Sequence, residues 1–496
     1  MNKVQVWDKG IKLGLTRMRE LMHLLGDPQD KLKFIHVAGT NGKGSTCSFI
    51  SAALQANGFK VGMYISPAVE NVREQYTING EWISENEYAL YMAEIYAAMV
   101  GKAAERAYEE PAFNLAQITD TAGKHSGNVP TDDLPNDNIQ ADDMSASDNS
   151  LGVSLLDDAP TAFEMETALA FLYFYRNNCD YVVLETGLGG RGDATNIVNT
   201  TVVSVLTSIS EDHLGMIGND LEEIAYTKAG IIKKGVPVVM TRNPECVEAV
   251  VKRECDRLGC ELYVVSGASD DVDNCTDTDT YNDTYKANSI RKDGALVSET
   301  KILNTIKLRA KGIYQKDNAL LALEVLRVLK KYENINIDKS RSTEAINGVI
   351  IPCRMEKICD APLFYLDGAH NPEAAKRLRE TVERELAGYR IILIMGMFRD
   401  KDYRAVISEM APLASCIFTV ETPDTERALP KEELCACIKE ITGEKEVHAC
   451  EIAEAVKSSI NMAATYETEG NEPCIIAFGS LSYLKLIKGI LTSEIK

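Results

Sequence analysis

Short unbroken apolar runs alternate along this chain with longer stretches whose apolar positions recur every three or four residues. The runs at 34–38, 60–65, 181–185, 202–206 and 236–240 predict buried strands. The periodic stretches at 45–57, 163–177, 221–233 and 244–258 predict helices between them. Strand and helix in turn imply an α/β fold with a mostly parallel sheet covered on both faces, and ligands in such folds sit beyond the carboxyl ends of the strands. A helix from about 315 to 331 and a polar stretch ending near Gly348 precede a second series. Its strands are expected at 363–366, 391–395, 416–420 and 474–478, with helices at 371–387 and 452–464. The division is expected near Ile350, giving units 1–350 and 351–496.

Two segments break the rhythm. Residues from about 101 to 160 and from 266 to 294 are acidic and rich in Ser, Asn and Asp, the composition of solvated surface insertions. Their Asp-x-Asp runs lack the glycine and terminal glutamate of a calcium-binding EF-hand loop.

A chain of 496 residues exceeds one ordinary core, in agreement with two units. The net charge of −21 argues against a nucleic-acid surface but not against a nucleotide, which a loop and a metal bind locally. Much of that charge lies in the two insertions. No apolar run approaches the ~18 residues of a membrane span, and the first residues lack a signal-peptide core. The 13 cysteines are scattered without zinc spacing, which suits reduced thiols in a cytoplasmic protein.

The chemistry gathers where strands end. After the first strand comes Gly39-Thr40-Asn41-Gly42-Lys43-Gly44-Ser45-Thr46, a glycine-rich turn that opens a helix. Backbone amides at Gly42 to Ser45 can converge on phosphate, Lys43 adds a point charge, and a hydroxyl such as Ser45 can ligate magnesium. Gly44 between lysine and serine departs from the usual GxxxxGK[ST] loop and points away from ordinary GTPases and kinases. Glu185 ends a buried strand and leads into Thr186-Gly187-Leu188-Gly189-Gly190-Arg191, where its carboxylate can bind a nucleotide's metal and Arg191 a phosphate or carboxylate. His213 follows the next strand in Ser208-Ile209-Ser210-Glu211-Asp212-His213 and can ligate a second metal ion. Lys228 is followed by small and apolar residues, an enclosed setting that lowers an amine's pKa and opens it to covalent chemistry. Across the division stand Gln315, Asn318, Arg354, Asp367 and His370, polar groups suited to an interdomain nucleotide site.

In this order, HVAGTNGKGST, ETGLGGRGDATN, TSISEDH, KAGIIKKGVPVV and LDGAHNP resemble the folylpolyglutamate synthase and dihydrofolate synthase family of the Mur ligase superfamily. The resemblance implies a phosphate-loop domain followed by a smaller Rossmann-like ligase domain. It implies that ATP phosphorylates a folate or pteroate carboxylate and that the amine of L-glutamate attacks the acyl phosphate. By position, Gly42, Lys43, Gly44 and Ser45 would cradle phosphates. Ser45, Ser66, Glu185 and His213 would hold Mg2+, and Lys228 would carry a carboxylate on its side chain. Asn318, Arg354 and Asp367 would contact the nucleotide, with His370 close by. Lys43, His213 and Lys228 would thus serve catalysis directly. The implied partners are small molecules, with no nucleic acid or membrane, and the implied state is a cytoplasmic monomer.

The chain departs from the family pattern in several places. SPHL…RERI reads Ser66-Pro67-Ala68-Val69…Arg73-Glu74-Gln75-Tyr76, PGR reads Pro352-Cys353-Arg354, and HQ reads Tyr314-Gln315. Thr227 replaces a glutamate before the special lysine, and Gly192 stands where leucine is common. Ala68 and Gln75 fall near the expected pterin. Three other readings remain at this point: an amide ligase with a different carboxylate substrate, a phosphoryl-transfer enzyme or GTPase switch, and a non-catalytic nucleotide-binding module.

Overall fold

The computed structural model describes residues 13–109, 159–266, 290–292, 295–298, 306–424, 426–443 and 445–494. The first sheet contains β1 (Phe34–Ala38), β2 (Val61–Tyr64), β3 (Tyr76–Ile78), β4 (Glu81–Trp82), β5 (Tyr181–Glu185), β6 (Thr201–Leu206), β7 (Val238–Thr241), β8 (Leu262–Val265), β9 (Ile290–Lys292) and β10 (Ala295–Ser298). Their order is β4-β3-β2-β5-β1-β6-β7-β8-β10-β9. The pairings from β2 through β10 are parallel, and the antiparallel ones lie at the two edges.

Alternation along the strands divides the core into two layers. Ile35, Val37 and Val183 face helices Lys43–Ala56 and Tyr314–Glu333, whereas Phe34, Val182 and Leu184 face helices Thr16–Leu24 and Ala162–Arg176. A sheet buried on both faces needs apolar residues at every position, which is why the central strands read as unbroken runs.

The second sheet holds β11 (Glu356–Asp360), β12 (Leu363–Asp367), β13 (Arg390–Gly396), β14 (Ala414–Thr419), β15 (Glu446–Ala449) and β16 (Pro473–Gly479), ordered β11-β12-β16-β13-β14-β15. Only β11 pairs antiparallel. Ile391, Leu393 and Met395 point into one layer, and Ile392 and Ile394 into the other.

Several expectations need correction. The helix expected to reach residue 233 ends at Lys228 and tightens into the turn Ala229–Ile231. There Gly230 lies against Arg191, whose Cβ would stand 2.4 Å from an added Cβ. The polar stretch ending near Gly348 is helix Lys339–Gly348, capped by the Asp338 side chain on the Arg341 N–H. Of the expected insertions, residues 110–158, 267–289 and 293–294 lie outside the described residues. The first residues of the former belong to helix Glu85–Glu109, and residues 290–292 of the latter form β9. Among the described residues no helix is long and apolar enough to cross a membrane.

Candidate active site

Strands β5, β1 and β6 are neighbours, so the loops beyond their carboxyl ends meet. The loop after β1 is sewn to the one after β6. The Thr40 N–H donates to Ser208 O (2.7 Å), Thr40 Oγ1 donates to Ser210 O (3.0 Å), and Ser208 Oγ donates to Asn41 O (3.2 Å). Glycine is required twice here. A Cβ on Gly39 (φ +155°) would lie 1.8 Å from Thr207 Oγ1, and one on Gly42 (φ +86°) 2.4 Å from Asn318 Oδ1. Helix Lys43–Ala56 begins at this point with Ser45 buried in its first turn. The Lys43 ammonium bonds Thr40 O at 3.2 Å and stands 3.8 Å from Glu185 Oε1.

Glu185 is buried at the end of β5, and its Oε2 accepts the backbone N–H of Ser66 at 3.3 Å. Burial raises its carboxyl to about 7, against the pull of Lys43, the Ser66 N–H and Arg354. A carboxyl group withdrawn from water beside a phosphate loop has the chemistry to hold a hard cation. A Cβ on Gly44 would sit 3.3 Å from Glu185 Oε2, so this glycine keeps the space between loop and carboxylate open.

Lys228 reaches the same region from the far side of the β1 loop. It is 4% exposed, and its Nζ donates to Gly39 O at 2.7 Å. Burial, reinforced by Lys43, lowers its pKa to about 7 against the opposing charges of Asp212 and Asp193. His213, in a left-handed conformation (φ +52°), is part-exposed beside Asp212. Burial lowers its pKa, opposed by Asp212 and assisted by Lys401, Lys228 and Lys43.

The second sheet closes the site from above. Asp367 ends β12, where Oδ2 accepts from Tyr314 Oη and the Met355 N–H (both 2.8 Å) and Oδ1 from the Ala369 N–H (2.9 Å). Tyr314 opens the helix that also presents Asn318, whose amide donates to Gln315 Oε1 at 3.0 Å. Arg354 crosses the backbone of Gly368, where an added Cβ would lie 1.9 Å from its Nη1. His370 is held by its own turn, with Nδ1 2.9 Å from Gly368 O, and burial with Lys401 nearby lowers its pKa to about 4. Asn371 caps helix Pro372–Glu385 and pairs with Asn41 of the phosphate loop.

Gly42, Lys43, Gly44, Ser45, Ser66 and Glu185 therefore converge, with Asn318 against Gly42, Lys228 and His213 on one side, and Arg354, Asp367 and His370 across the cleft. Ser66 approaches Glu185 through its backbone. Arg191 does not join them: its guanidinium lies 4.1 Å from the Tyr226 ring centroid and 3.4 Å from Glu254. Two residues were missed. Lys401 donates to Asp212 Oδ1 (2.8 Å) and stands 3.3 Å from His213 Nε2. Asp212 is raised by burial but held down at about 2 by Lys401, with His213 and His370 adding to the effect. The run Arg399-Asp400-Lys401-Asp402 after a strand was the available signal.

A phosphotransferase would leave the enclosed lysine and the second wall without a task. An enzyme that must bring a nucleotide, an activated acid and an amine together uses both, and the chain is an ATP-dependent amide ligase. Residues 149–326 match the Mur ligase middle domain, and residues 353–480 the Mur ligase glutamate ligase domain. The dihydrofolate synthase/folylpolyglutamate synthase of Bacillus subtilis is 32% identical over 410 residues, covering 82% of this chain and 81% of that protein. The folylpolyglutamate synthase of Lacticaseibacillus casei is 30% identical over 416 residues, covering 84% and 82%. In fold, the chain superposes on Mycobacterium tuberculosis folylpolyglutamate synthase complexed with ADP and AMPPCP with a TM-score of 0.72. That match has 24% identity and covers 97% of this chain and 95% of that one. The chain belongs to the folylpolyglutamate synthase/dihydrofolate synthase family of the Mur ligase superfamily.

Proposed function

We propose that the protein joins the amine of L-glutamate to the carboxylate of a folate, and to that of dihydropteroate, at the expense of ATP. The carrying observation is the Glu185 carboxylate, buried between Lys43 and the Ser66 N–H at the mouth of the phosphate loop. Gly42 to Ser45 receive the phosphates, and Asn318, Arg354, Asp367 and His370 line the nucleotide's other side. Ser45, Ser66 and Glu185 would supply oxygen donors of the kind that suit Mg2+, with the His213 imidazole as the fourth group of the set. Bound there, magnesium offsets the charge of the transferring phosphoryl group.

The chain's own groups have defined tasks. Lys43 neutralises the oxygens that gain charge as phosphate passes to the acid, and the donors around the loop need little rearrangement to do so. The amide then forms as glutamate's nitrogen adds to the acyl carbon and inorganic phosphate leaves. Lys228, with its pKa near 7, is neutral often enough to react with carbon dioxide. That reaction would form a carbamate on Lys228 and release a proton, adding an anion beside the phosphate loop that would help position Mg2+. We divide the chain functionally at residue 350 and assign it to the cytoplasm.

Purified protein supplied with ATP, glutamate and either tetrahydrofolate or dihydropteroate should release phosphate in a glutamate-dependent manner. Phosphate release with neither pterin compound, but with another carboxylic acid, would reassign the substrate. No release with any acid would leave only a nucleotide-binding module.

A further inference from the structure

We propose that Cys416, Glu446 and His448 form a binding site for a thiophilic divalent cation of the zinc type, on the edge of the second sheet and apart from the ligase centre. Parallel pairing of β14 with β15 sets Cys416 opposite Glu446 and Phe418 opposite His448. Side chains alternate along a strand, so these four residues share one face, the one that helix Ile452–Thr468 covers. The Cys416 sulfur, a Glu446 carboxylate oxygen and a His448 ring nitrogen all lie within 4.8 Å of one another. His448 Nε2 stands 3.0 Å from Glu446 Oε1, and its ring stacks on Phe418 with centroids 5.5 Å apart and planes at 26°.

Metal–ligand lengths of about 2.0 to 2.3 Å separate tetrahedral donors by roughly 3.3 to 3.7 Å. Side-chain rotation at an exposed edge covers the difference. A surface His–Glu pair alone accounts for two of the residues. The thiol beneath them packs in the apolar layer and is fully buried while its partners are about half exposed, at 49% and 52%, so it would meet an ion from the inner side. Thiolate and imidazole favour zinc-like ions over magnesium or calcium, so the site does not compete for the metal of the ligase reaction. Three protein ligands leave a fourth position for water. A bound ion would clamp β15, a four-residue strand at the sheet edge.

The test uses the full chain, stripped of transition metals, kept in excess Mg2+ and titrated with Co2+. One equivalent should produce a thiolate-to-cobalt charge-transfer band together with the visible bands of four-coordinate cobalt. Cys416→Ser should abolish the charge-transfer band, and His448→Gln should weaken binding at least tenfold. Cys359→Ser, at a thiol on β11, should change neither. His448→Gln, at a half-exposed position, carries the test if Cys416→Ser does not fold. Absence of a thiolate band in the parent protein, or a band unaffected by both substitutions, overturns the proposal.

Discussion

Asn41 and Asn371 exchange side-chain hydrogen bonds across the cleft. Asn41 Nδ2 donates to Asn371 Oδ1 at 3.3 Å, and Asn371 Nδ2 donates to Asn41 Oδ1 at 3.1 Å. One residue belongs to the phosphate loop and the other caps a helix of the second sheet, with Nδ2 also 3.3 Å from Asp212 Oδ2. The pair registers the nucleotide end of the site against the wall that closes over it.

Asn371 thus performs two tasks that substitution can separate. Asn371→Ser keeps a helix cap and loses the bridge, so it should raise the KM for ATP several-fold with little change in unfolding free energy. Asn371→Ala loses both and should cost about 1 kcal/mol more in urea denaturation. Equal stability of the two variants would show that the cap contributes nothing.

Lys401 and Asp212 are a second bridge, with side chains only 7% and 12% exposed. Lys401→Met leaves the Asp212 carboxylate largely buried without its cation, at a cost of about 2 to 3 kcal/mol. Adding Asp212→Asn should recover part of that loss, because the stranded charge is removed. A double variant less stable than Lys401→Met by the full cost of Asp212→Asn alone would show that the two residues do not act as a pair.

The parts of this arrangement that were legible in the sequence share a physical cause. Strand Phe34–Ala38 is buried at every position, so it stands out as an unbroken apolar run. The setting of Lys228 showed in the Ala-Gly-Ile-Ile that follows it. The bridges did not show, because Asn41 and Asn371 are 330 residues apart and no local period links them. Edge strands β3 and β4 were missed although Asn79-Gly80 joins them with both residues at positive φ, the strongest short hairpin signal there is. Their short, part-polar strands lack the run that marked the centre. A glycine-rich loop suggests a phosphate or carboxylate for Arg191, whereas the chain's return through Tyr226 and Glu254 supplies its partners in the fold.

Two glycines separate backbone strain from site geometry. Gly42 (φ +86°) and Gly58 (φ +90°) hold similar left-handed conformations, but only at Gly42 does an added Cβ meet another group, Asn318 Oδ1 at 2.4 Å. Gly58→Ala should cost about 1 kcal/mol of stability and leave kcat unchanged. Gly42→Ala should cost at least as much and lower kcat/KM for ATP by a hundredfold or more. Similar kinetics for the two variants would remove the loop from nucleotide binding.

The carboxylated lysine has a direct chemical test. Lys228→Ala empties a buried position beside Gly39 O and should reduce turnover at least a hundredfold. A short carboxylate such as acetate, entering the space vacated by the side chain, should restore part of the rate in proportion to its concentration. Full activity in the unsupplemented variant rules the role out.

Glu166 supplies a pH signature of its own. It lies on helix Ala162–Arg176, and its charge reaches the hydroxyls of Tyr64, Tyr76 and Tyr88. Burial alone raises its carboxyl to about 7, with no cation among the described residues to oppose it. In the unfolded chain the group ionises near its ordinary value of about 4.3. Between those two values the folded protein therefore binds more protons than the unfolded one, so stability falls as pH rises through the window. The penalty is complete above about pH 7. Glu166→Gln carries no charge to desolvate. It should match the parent protein below about pH 4 and exceed it by on the order of 2 kcal/mol at pH 8. Urea denaturation of both proteins from pH 4 to pH 8 measures the difference directly. Curves that stay parallel across the range would mean that the Glu166 carboxylate is paired or solvated in the folded state.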